Sequence, residues 1–174
     1  RVFYRRRTQN LGRKAGNIED FIRRSGAAYD YALILDADSL MEGATMAEMA
    51  RRMDRDDRLG LLQTLPKIIS ASTVFGRTVQ FSASYLAPTF AGGLALTQGH
   101  EGPFWGHNAI VRIRAFASSC GLPELSGKPP FGGNILSHDY VEAAMLARAA
   151  WKVELDPDLG GSYEEGPENL VEFA

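Results

Sequence analysis

The sequence predicts an α/β domain in which helices flank a mostly parallel sheet. Short apolar runs at Tyr31–Leu35, Leu59–Leu65, Ala109–Ile113 and Trp151–Leu155 have the length of strands buried on both faces. Segments with apolar residues at helical spacing lie between them, and that alternation is the pattern of a parallel sheet. With 174 residues, 45% of them hydrophobic, the chain is long enough for one domain with a real core.

Taken in order, residues 2–4 are expected to end a strand. Ala15, Ile18, Phe21 and Ile22 recur at helical spacing, which predicts a helix over 11–25 with Gly26 as its stop. After the strand Tyr31–Leu35, residues Met46, Met49, Ala50 and Met53 mark an amphipathic helix. Leu59–Leu65 is a strand halted by Pro66. Residues 73–90 are expected to be helical, with Pro88 near the end. A Gly-rich passage, Gly92–Gly106, leads to the strand Ala109–Ile113 and a short helix at Ala115–Cys120. Seven glycines and prolines make 121–134 a loop. A helix over Asp139–Ala150 and a strand at Trp151–Leu155 complete the chain, with no internal repeat.

A formal net charge of −2 gives no global field that would favour nucleic acid. The charge is nonetheless uneven. Arg1, Arg5, Arg6, Arg7, Arg13 and Lys14 crowd the start, and only acids come after Lys152. The single cysteine, Cys120, excludes an internal disulfide and fits a reducing compartment. No apolar run approaches a membrane span, and Phe81–Thr97 is broken by Pro88, Gly92 and Gly93. The abrupt opening Arg-Val-Phe-Tyr, without an initiator Met or signal peptide, is expected of a piece of a larger protein.

The strand Tyr31–Leu35 runs into Asp36 and Asp38, which share a side if the chain stays extended. At the C-terminal end of a parallel strand such a pair suits Mg²⁺ or Mn²⁺ carrying a substrate phosphate. Asp38 or Ser39 equally suits a cap on the next helix. The Arg5–Arg7 triplet and Gly12-Arg-Lys-Ala-Gly-Asn17 enclose a helix start, where anions bind; a solvated basic face or a nucleic-acid tag is the alternative. In Ser137-His-Asp-Tyr-Val-Glu142, Asp139 is either a helix-capping acid or a general base. Phe104-Trp-Gly-His-Asn108 offers aromatic faces for a sugar ring and polar heads for its hydroxyls, or simply core packing. His100, His107 and His138 lack the spacing of a zinc site.

Taken together, the chain resembles a family 2 glycosyltransferase of the inverting GT-A type, and within it the bacterial enzymes that build osmoregulated periplasmic glucans. The resemblance rests on Tyr4-Arg-Arg-Arg-Thr8, Gly12–Asn17, Leu33-Ile-Leu-Asp-Ala-Asp-Ser-Leu-Met-Glu-Gly43 and Gln63-Thr-Leu-Pro66. It continues through Phe104–Asn108, Pro130-Phe-Gly-Gly133, Ser137–Asp139 and Gly160-Gly-Ser-Tyr-Glu-Glu165. It implies a Rossmann-related GT-A fold, of which 1–174 is the central part. The first strand with its uridine-contacting Asp, and a Gln-x-x-Arg-Trp motif, would lie outside this piece, which alone would be inactive.

The resemblance further implies that Asp36 and Asp38 bind the donor UDP-glucose, with Asp38 on the metal. Lys14 would lie near the nucleotide, Gln63 beside the active site, and His107 and Asn108 in the donor or acceptor pocket. Asp139 would be the catalytic base for transfer to a growing β-glucan, with the 121–134 loop closing over the site to exclude water. The parent would be embedded in the bacterial inner membrane, with this domain on the cytoplasmic side. Rival classes are a haloacid-dehalogenase-type phosphotransferase with Asp36 as nucleophile, which Ser39-Leu40 fits poorly, and a sugar-nucleotide-binding module without catalysis. A purely structural domain would bind neither nucleotide nor metal.

Overall fold

The computed structural model describes residues 2–122, 125–128, 132–133, 135 and 137–173. The main sheet contains β1 (Tyr31–Ile34), β3 (Leu59–Thr64), β5 (Ala109–Arg112) and β6 (Lys152–Asp156), in the order β1-β5-β3-β6. β5 is antiparallel to β1 and to β3, whereas β3 and β6 are parallel. Strands β1, β3 and β6 therefore point one way and β5 alone is reversed. The expected α/β class with a mostly parallel sheet holds in strand direction. The reversed strand is not visible in the sequence, because a run buried on both faces looks the same in either sense.

Neighbouring residues on each strand face opposite sides of the sheet, and the core divides accordingly. Leu61, Val111 and Val153 join Phe104, Phe116 and Leu146 in one cluster. That cluster is covered by α1 (Arg13–Ser25), α4 (Ile113–Ser119) and α5 (His138–Arg148). Leu59, Leu62 and Ile110 pack on the other side against Met49 and Met53 of α2 (Gly43–Arg55). All six residues of β3 are buried, as expected for a strand between two neighbours with helices on both faces. Phe104 belongs wholly to the core, so the sugar-stacking alternative passes to the half-buried Trp105.

A second, three-stranded sheet has the order β2-β7-β4, from β2 (Leu40–Met41), β7 (Ser162–Glu165) and β4 (Lys67–Ile69). None of these strands is expected from the sequence. Each is two to four residues long, too short for alternation to register. Residues 2–4 belong to no strand, contrary to expectation.

The largest difference is α3 (Val74–Gln98), which runs through Pro88 and through Gly92 and Gly93. The helix ends instead at Gly99, whose φ of 56° only glycine adopts readily. Anchoring outweighs propensity: Thr73 Oγ1 accepts from the Gly76 N–H at the start, and Ala91 is buried beyond Pro88. A terminal helix, α6 (Leu170–Phe173), packs Phe173 edge-on against Phe75 at 5.9 Å. Of the expected loop 121–134, residues Pro123, Glu124, Pro129, Pro130, Phe131 and Asn134 lie outside the described residues; Leu125 and Gly133 form an antiparallel bridge. Among the described residues no helix is long and apolar enough to cross a membrane.

Candidate active site

Sheet register places the site. Ile34 and Gln63 both pair with Ala109, so the segment after β1, the end of β3 and the approach to β5 meet at one edge. This edge lies beyond the C-terminal ends of the parallel strands, where open α/β sheets bind ligands. Asp36 and Asp38 come from the first segment, Gln63 and Thr64 from the second, and Gly106, His107 and Asn108 from the third.

The chain does not stay extended between the two carboxylates. The Ser39 N–H donates to the Asp36 carbonyl at 3.2 Å, and the Asp36 N–H donates to Ser39 Oγ at 3.1 Å. This turn lifts Asp38 to an exposed tip and leaves Asp36 half-buried. The side-sharing expected of an extended pair is thus replaced by a turn. Ser39 closes that turn, while α2 begins only at Gly43, with Glu42 at its cap position. Neither Asp38 nor Ser39 caps α2.

Lys14 forms an ion pair with Asp36, their side chains 32% and 39% exposed. It reaches there from the first turn of α1, which is set by the Gly12–Gly16 segment. A side chain at Gly16 would collide with the Leu11 carbonyl, so only glycine lets the chain close this tightly. Arg5 and Arg7 brace the same segment. Arg5 pairs with Asp20 and donates to the Asn17 carbonyl at 2.9 Å; Arg7 donates to the carbonyls of Leu11 at 2.8 Å and Arg13 at 2.7 Å. Those two guanidiniums are therefore engaged by the chain itself.

Asp139, 101 residues beyond Asp38 in the sequence, arrives on the first turn of α5. Its Oδ1 accepts from the Tyr140 N–H at 3.1 Å. Between it and Lys14 lies Gly106, at φ 85°: a methyl group there would sit 3.3 Å from Asp139 Oδ2 and 3.6 Å from Lys14 Nζ. The structure thus brings Asp36, Lys14 and Asp139 to one place, with bare backbone as the floor between them.

Gln63 and Asn108 are fully buried beneath this floor. Gln63 Nε2 donates to the His107 carbonyl at 2.9 Å, and its Oε1 accepts from the Trp105 N–H at 3.0 Å. Asn108, at φ 50°, donates through Nδ2 to Ser162 Oγ at 2.8 Å and to the Tyr163 carbonyl at 3.1 Å. Both amides are satisfied by protein, so they shape the 105–108 loop from below instead of opening to the cleft. His107 is largely buried, with Nδ1 3.2 Å from Asn108 Oδ1 and 3.5 Å from Glu164 Oε2.

Glu164 lies in the Gly160–Glu165 stretch that the sequence marks, without a role assigned to it there. It stands on β7, and its carboxyl is held above the ordinary range mainly by burial, with Asp38 and Asp36 adding to the effect and His107 opposing it. Among the described residues no group of three His, Cys, Asp or Glu side chains is arranged as a complete metal cage. An ion held with a nucleotide usually takes one or two carboxylates, phosphate oxygens and water, and the exposed Asp38 beside the ion-paired Asp36 offers oxygen donors of that kind.

Comparison with known proteins places the chain in a family. The model of glycosyl transferase family 2 matches residues 1–119. A protein of Cereibacter sphaeroides named glucans biosynthesis glucosyltransferase H is 69% identical over the whole chain, which covers 29% of that protein. Proteins of the same name from Vibrio cholerae and Shewanella oneidensis are each 53% identical, over 99% and 100% of the chain, and are covered to 24%. The chain spans between a quarter and a third of the first relative and about a quarter of the other two.

Proposed function

The chain belongs to glycosyl transferase family 2, and from this premise we propose that it carries the donor and catalytic core of a glucosyltransferase that extends a glucan from UDP-glucose. The observation that carries the reading is the meeting of Asp36, Lys14 and Asp139 around Gly106 at the ligand-binding edge of the sheet. The name shared by the relatives supports glucose as the sugar and a glucan as the product.

In this reading Asp38 would hold a divalent Mg²⁺ or Mn²⁺ beside the donor diphosphate, where such an ion would supply positive charge against the leaving UDP. Lys14 holds Asp36 in place and adds positive charge beside the diphosphate. Asp139 takes the proton from the attacking acceptor hydroxyl, so that bond formation and UDP departure occur in one in-line displacement with inversion. The Gly106 backbone lets the sugar approach Asp139. Gln63 and Asn108 keep the floor rigid, the preorganisation that electrostatic stabilisation needs. We further propose that the longer parent is membrane-embedded, with this domain on the cytoplasmic side, where UDP-glucose is available.

Calorimetric titration of UDP-glucose with Mn²⁺ tests the donor assignment. Binding that requires metal and is lost in Asp38→Ala is the expected result. Binding indifferent to both would overturn it.

A further inference from the structure

Two buried ionisable side chains on α5 are unused by the reaction as described. His138 Nδ1 lies 3.1 Å from Glu142 Oε2, with the two side chains only 12% and 3% exposed. Glu142 sits on the inner face of α5 beside Ala143 and Leu146, and its backbone carbonyl contacts the Cys120 thiol at 3.6 Å. A helix that needed only anchorage would be served at least as well by an apolar residue of similar volume, because burying a carboxylate is expensive.

The position of the pair supplies a use. Asp139 lies on the first turn of α5, and the cap residue Ser137 makes no capping hydrogen bond with its side chain. The turn that carries Asp139 is instead tied down by the i, i+4 link from His138 to Glu142. The geometry points to His138 and Glu142 as the positioning pair of Asp139, fixing the carboxylate against Gly106 and Lys14. This inference rests on Asp139 being the base.

Charge is consistent with the geometry. The groups facing His138 are Glu142 and Asp139 from α5 and Lys14 from α1; Cys120, at the end of α4, faces Glu142. The hydrogen bond from the imidazole to Glu142 lifts His138 above its ordinary range, and Asp139 pulls the same way, while burial and Lys14 oppose. Burial pushes the Cys120 thiol up to about 12, so it adds no charge. Burial likewise raises the Glu142 carboxyl, with Asp139 adding to the effect and His138 and Lys14 opposing it.

The test exchanges this chain for the segment it matches in the Cereibacter sphaeroides relative and monitors transfer from UDP-glucose against pH. His138→Gln and Glu142→Gln should each lower kcat by roughly 10–100-fold, the size typical of residues that orient a working group. KM for UDP-glucose should stay within about twofold, because the donor contacts are untouched. The pH profile should change in both Gln variants, and Glu142→Asp should recover part of the rate. Unchanged kcat and profile in both Gln variants would make the pair a plain anchor and overturn the inference. Transfer that survives Asp139→Asn would instead overturn the proposed base. A second readout needs no activity: the imidazole NMR titration of His138 in this chain should move to lower pH in Asp139→Asn. An unmoved midpoint would contradict the coupling.

Discussion

At the level of single residues, the chemistry depends on what is absent as much as on what is present. Gly106 has no side chain, and Asp139 and Lys14 face the space that one would fill. Gly106→Ala should therefore strain a backbone at φ 85° and crowd both groups, lowering transfer more than donor binding; parallel calorimetry and turnover assays check this. Asp139→Asn should lower turnover by about 10²–10⁴-fold, the usual worth of a positioned base, and leave UDP affinity nearly intact. Asp36, Asp38, Asp139 and Lys14 stand out in the sequence by type and order, and the structure brings Lys14 beside Asp36 and Asp139. The contacts of Gln63 and Asn108 are not legible there, since an amide that faces a ligand and one that braces a loop read alike. Glu164 falls in a stretch that the sequence marks, but its place in the fold depends on β7, a four-residue strand in a sheet that the pattern of apolar residues does not reveal.

At the level of elements, the strands and helices that build the main sheet are readable wherever apolar periodicity extends over several residues. Element ends are fixed by local hydrogen bonds and strain. For α3, Pro88 suggests an end that tertiary anchoring overrides. The start of that helix is secured by Thr73, and Thr73→Ala should destabilise it by about 1 kcal/mol in chemical denaturation. Glu168 reinforces the same end by accepting from the Ser72 and Thr73 N–H groups at 2.8 and 2.9 Å, which lowers its pKa from 4.5 to about 2. A group whose pKa is depressed on folding contributes stability above its unfolded value and loses it as pH falls through the folded one. The α3 start should accordingly loosen between pH 4.5 and about 2, seen as faster amide exchange at Gly76 and Arg77. In Glu168→Gln that pH dependence should be absent.

At the level of the whole molecule, the fold places three distant segments on one sheet edge. The reversed β5 is essential to this, because its N-terminal approach, carrying Gly106 and His107, then lies beside the C-terminal ends of β1 and β3. Phe104, wholly buried at the root of that approach, fixes it to the core, and Phe104→Ala should cost about 3–5 kcal/mol by thermal or chemical unfolding. The central claim is that the segments around Asp36, Gly106 and Asp139 form one donor site, and amide NMR of the ¹⁵N-labelled chain titrated with UDP-glucose and Mg²⁺ tests it most directly. Shifts clustered at Lys14, Asp36 to Ser39, Gly106 to Asn108, Asp139 and Glu164 are the result the account predicts. Shifts confined to the Arg5–Arg7 segment, or none at saturating donor, would contradict it.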